Sequence, residues 1–177
     1  AKAGVVSAQS AADTAKAAYN AAVAQVNKGS VGFFENCNTA GSQYAISIID
    51  SNNQLLKDEG FDERGLTEIG AEGDATSLEN MKRSLEYLKE CNDLRATDPL
   101  AQEDNAKPLG VTHSLMAIAQ THANRGTVQT GHWSDNNQLY ITGENIAFMG
   151  STKDPYQGWY TDEKAYYDFC HETLGPY

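Results

Sequence analysis

The chain has 177 residues, with 13 Lys and Arg against 24 Asp and Glu, a net charge of −11 and a pI near 4.6. Such a chain repels phosphate backbones and anionic lipid, so nucleic acid and anionic membrane surfaces are excluded as natural partners. No apolar run has the length that a membrane span needs, and the size suits one or two small domains.

Residues 1–28 are Ala-rich. Val5, Ala8, Ala12, Ala15, Tyr19, Ala22 and Val26 recur at alternating spacings of three and four. That 3.5-residue period predicts the seam of a helical hairpin or coiled coil. An Ala seam buries little area per turn and therefore calls for a partner helix at close range. Asn27-Lys28-Gly29 stops the pattern. Tyr44, Ala45, Ile48 and Ile49 predict a second helix over about 40–57, and Gly60, Gly65, Gly70 and Gly73 a loose stretch after it. Residues 1–73 read as a helical spacer or stalk.

Thr76 and Glu79 have the spacing of a capping box. They open a helix with Leu78, Met81, Leu85 and Leu88 on one face, ended by Pro99. Thr112 caps the next helix, with Leu115, Ala119 and His122 as its stripe and Gly126 as its stop. Residues 139–142 and 145–148 read as extended segments around Gly143. Asp154-Pro155 starts a last helix that reaches about Cys170.

Two carboxylates stand in apolar surroundings. Glu163 falls between Trp159 and Tyr167 on an aromatic helical stripe. It either sits at the stripe's edge in water or turns inward toward a donor or cation. Glu144 lies in a strand-like run after a glycine that permits a bulge. It too faces solvent or is aimed inward. His132, between Gly131 and Trp133, reads as a loop histidine. Cys37, Cys91 and Cys170 lack metal-knuckle spacing. They are three free thiols, or one bridge and one thiol. No Gly-x-Ser-x-Gly elbow, His-Glu-x-x-His pair or phosphate-binding glycine loop is present.

The stretches LEYLKECNDLRA, LGVTHSLMAIAQTHANRG, GHWS, TGENIAFMG and DPYQGWYTDEKAYYD follow one another over residues 78–170. In that order they resemble a bacterial CAP domain, the family of pathogenesis-related and cysteine-rich secretory proteins. The resemblance implies an α+β fold, an α/β/α sandwich over 74–177, preceded by the helical region 1–73. It implies a cleft lined by His132, Glu144 and Glu163 and supported by Asn145, Trp159 and Tyr167. A divalent metal (zinc, calcium or magnesium) would be held weakly there by His132, Glu144 and Glu163. The family's second histidine falls in a Gly-His-Tyr motif, where this chain reads Gly175-Pro176-Tyr177. His171 is the nearest substitute. The expected CAP domain is thus incomplete, lacking the last strands. The implied function is a secreted or wall-associated module that binds a protein, lipid or cell-wall ligand without catalysis. The alternative is a metal-assisted hydrolase with Glu144 or Glu163 as general base.

Overall fold

The computed structural model describes residues 2–61, 68–132, 144–148 and 154–174. Among them the regular elements are all helices: α1 Lys2–Asn27, α2 Gly29–Cys37, α3 Ala40–Asp58, α4 Leu78–Thr97, α5 Pro99–Glu103, α6 His113–Gly126 and α7 Glu163–Leu174. A π-helical turn, Gln157–Asp162, leads into α7. The chain divides into two compact units, 1–131 and 132–177.

The expected α/β/α sandwich is therefore corrected to an all-α architecture. A strand exists only with a laddered partner. The run 145–148 has strand-like composition but forms no strand ladder with any other described residue. The other expected strand, 139–142, lies outside the described residues.

Local chemistry explains where the helices begin and end. Alanine is the strongest helix former, and α1 continues until Gly29, whose φ of +58° breaks it. Asn38 closes α2 in the left-handed region, at φ 46°. Thr39 and Ser42 form a reciprocal capping box at the start of α3, with bonds of 3.1 and 3.0 Å. Thr112 caps α6 as expected, accepting from the Leu115 amide at 3.2 Å. The cap of α4 is Ser77, which accepts from the Asn80 amide at 3.1 Å. Thr76, the expected cap, is instead fully buried and serves a different network. Pro99 both follows the end of α4 and opens α5, with Asp98 as the cap of the short helix.

In the first unit α3 packs along α6, and α2 packs on both α3 and α4. Gly41 at the start of α3 lies beside His113 at the start of α6. Arg125 near the end of α6 holds Glu59 just beyond the end of α3, Nη2 to both carboxylate oxygens at 3.3 Å. The two helices thus run parallel. The core cluster is Phe34, Ala45, Ile49, Met81, Met116 and Ala117, drawn from both sides of residue 73. Burying a side chain of the size of Ile49 contributes about 1.5–3 kcal/mol.

The buried face of α6 differs from the expected stripe. Leu115 and Ala119 are exposed, while Met116, Ala117, Ile118, Gln120, Thr121 and Asn124 are buried. Of the polar members, Asn124 is met by Asp74 in the turn before α4, the Gln120 side-chain carbonyl by Ser30 of α2, and the Thr121 hydroxyl by the Ile118 carbonyl within α6. Asp74, with no exposed surface, receives the Thr76 amide at 2.7 Å, the Thr76 hydroxyl, and the Asn124 side-chain amide. Thr76 also accepts from the Gly70 amide at 2.8 Å, and its carbonyl takes the Ser30 amide at 2.7 Å. Ser30 in turn donates to Gln120 at 2.9 Å. This buried polar network fastens α2, the 70–77 turn and α6 together.

Candidate functional site

The second unit carries the residues that the sequence singles out. Asp154 and Pro155 start its helical stretch, and the Asp154 side chain accepts from the Tyr156 amide at 2.9 Å. Tyr156 then meets Trp159 edge-on, ring centres 5.7 Å apart and planes at 84°. The Trp159 indole nitrogen reaches the Ile146 carbonyl at 3.4 Å. The aromatic turn thus holds the segment 144–148 from its middle.

Glu144 opens that segment and meets His132. The imidazole Nδ1 and the carboxylate Oε2 are 2.7 Å apart. The side chain of His132 is 67% exposed and that of Glu144 19%. A carboxylate on Nδ1 favours the tautomer that carries its proton there, which turns Nε2 into the atom offered to a ligand. Of the three expected cleft residues, the structure brings these two together. Glu163 stands exposed at the first position of α7. Asn145 is exposed too, Trp159 is half-buried, and Tyr167 is exposed on α7.

Among the described residues no three of His, Cys, Asp and Glu gather to hold a cation. His132, Glu144 and Glu163, the donors implied for a metal, do not form a three-ligand set. The His171 side chain lies outside the described residues, as do residues 175–177.

The remainder of α7 is a surface of rings. Tyr166 and Phe169 are exposed, as is Phe148 on the neighbouring segment. Cys170, one turn on from Tyr166, holds the phenol's proton above the usual tyrosine range. Lys164 and Asp168 pair along the helix at 2.7 Å. Sequence reasoning missed the Asp74–Asn124 network in the first unit; its one local sign was an acid in a glycine-rich turn directly before a helix cap.

No family model, curated protein or solved structure matches the chain.

Proposed function

We propose that this protein is a secreted or cell-surface binding module that acts without catalysis, and that it recognises its ligand through the second unit. The observation that carries this reading is the His132–Glu144 hydrogen bond at 2.7 Å, with the imidazole largely in solvent. A carboxylate that fixes one ring nitrogen orients the other as a single directional contact. Exposed Tyr166, Tyr167 and Phe169 in the same unit supply flat apolar area of the kind that binding surfaces use. The order of motifs over residues 78–170, similar to that of CAP domains, supports the extracellular placement and the choice among protein, lipid and cell-wall ligands.

The test uses the whole chain with insoluble cell-wall polymer and, separately, with neutral lipid vesicles with and without sterol. Co-sedimentation with one of them should be lost in His132→Ala and weakened in Glu144→Gln, with helix content by circular dichroism unchanged. Binding that is indifferent to both substitutions places recognition elsewhere. Turnover of a peptide substrate that needs added zinc and is lost in Glu144→Gln overturns the non-catalytic reading in favour of a hydrolase. Zinc titration belongs to the same experiment: binding should be weak and should disappear in His132→Ala.

A further inference from the structure

α1 is a 26-residue helix whose contacts with the rest of its unit gather near its end, against α2 and the turn at Gly70. There the Gln25 backbone lies against Gly32, and Lys28, just beyond the helix, pairs with Glu35 at 2.7 Å. Residues 4–24 are exposed on every face. The whole predicted seam is therefore open: Val5, Ala8, Ala12, Ala15, Tyr19, Ala22 and Val26. Val5 and Tyr19 are each 69% exposed. The 3.5-residue period specifies a helical partner, and no other described helix of the first unit covers the seam.

We propose that α1 pairs antiparallel with α1 of a second copy of this chain. Side-chain size decides the direction. In a parallel pair, Tyr19 would face Tyr19 and wedge apart a seam that is otherwise mostly Ala against Ala. In an antiparallel pair centred between Asp13 and Thr14, each large residue meets a small one. Val5 then faces Ala22, Tyr19 faces Ala8, and Ala12 faces Ala15. Large against small is the arrangement that fills an interface without voids.

Charge agrees with that direction twice. Asp13 and Lys16 lie on the same flank of the seam. In the antiparallel register Lys16 of one copy is two residues, about 3 Å along the axis, from the partner's Asp13. Two such pairs form around the dyad. A parallel arrangement puts the two lysines on opposite flanks and pairs neither. At longer range, Lys2, Lys16 and Lys28 against Asp13 give residues 1–28 a charge of +2, so the remainder of each copy carries −13 of the total −11. Antiparallel helices attach the two acidic bodies at opposite ends, roughly 40 Å apart. That is several screening lengths, each about 8 Å in physiological salt. A parallel pair would hold both bodies at one end.

An Ala-rich strip of this length covers roughly 400 Å² per copy, from a helix about 39 Å long and 10 Å wide. That is about half of what a standard stable interface buries on each side. The pair is accordingly a weak, concentration-dependent dimer.

Sedimentation equilibrium on the whole chain, up to about 1 mM, tests the pairing. A monomer–dimer equilibrium is expected. Ala15→Glu should abolish it while the helix persists, since glutamate is itself a good helix former. Lys16→Asp should weaken the dimer about 2- to 5-fold, the loss of two surface pairs, and Asp13→Lys combined with Lys16→Asp should restore it. A chain that stays monomeric throughout, a dimer that survives Ala15→Glu, or a charge swap that fails to restore association would each overturn the proposal.

Discussion

Asn124 donates its side-chain amide to both carboxylate oxygens of Asp74, at 3.1 Å each, from a position fifty residues further along the chain. The same Asn124 accepts the Ala75 amide through Oδ1 at 2.9 Å. A carboxylate with no exposed surface is tolerated because donors surround it. Asp74→Ala strands the Thr76 amide and hydroxyl and the Asn124 amide together. Each stranded donor costs about 1–3 kcal/mol, so a loss of about 3 kcal/mol or more is expected. Urea unfolding at neutral pH measures it, and an unchanged midpoint would show that the network contributes nothing.

Gly29→Ala should be as damaging for a different reason. Gly29 has φ +58°, and an added Cβ would lie 2.1 Å from the Thr76 carbonyl oxygen and 2.8 Å from the Gly70 Cα. Left-handed strain costs about 1–2 kcal/mol, and backbone displacement about 1–3 kcal/mol more. Gly60→Ala is the control: its φ is +74° but nothing lies within 4 Å of an added Cβ. It should cost only the strain. Equal thermal shifts for the two variants would refute the close contact.

The Lys28–Glu35 pair ties the end of α1 to α2 at 2.7 Å. The hydrogen bond from Lys28 holds the Glu35 carboxyl below its ordinary range. A depressed acid favours the folded state once pH exceeds the unfolded pKa, and that contribution disappears as pH falls through the folded value. Glu35→Gln should therefore lower stability slightly at neutral pH and leave the strongly acid end unchanged. The difference should shrink in high salt, because the pair is exposed. A variant less stable than wild type by the same amount at every pH would contradict this.

Cys37, Cys91 and Cys170 are all unpaired and half-buried. Thiol titration in denaturant without reductant should find three groups per chain. A count of one would instead establish a bridge between two of them. In the native state the reaction should be slower, since partial burial limits access to the thiolates.

The helix boundaries were the most legible part of the sequence. Thr112, Gly29, Pro99 and Asp154 act through chemistry within a turn of themselves, and a reader of sequence sees that chemistry directly. The buried faces were less legible. Leu115 and Ala119 looked like the inner stripe of α6, yet Gln120, Thr121 and Asn124 are buried, because Asp74 and Ser30 meet two of them from distant segments. The acid in the glycine-rich turn is a local sign of one partner, but nothing local names the other. The α+β reading failed at 145–148 because β-like composition gives no pairing partner. For the candidate site, His132 and Glu144 were named from sequence and stand in contact, while Glu163 was named with them and does not join them in a three-donor group.

The π-helical turn Gln157–Asp162 gives the last helical stretch an unusual property. Such a turn accommodates one residue more than an α-helical turn and leaves the segments on either side in phase. Removing one residue between 157 and 162 should therefore yield a regular helix whose later residues keep their directions. Removing one residue inside α7 would rotate everything beyond it by about 100°. The stretch behaves like a vernier: at this one place its length can change by a single residue without turning the surface that Tyr166, Tyr167 and Phe169 present.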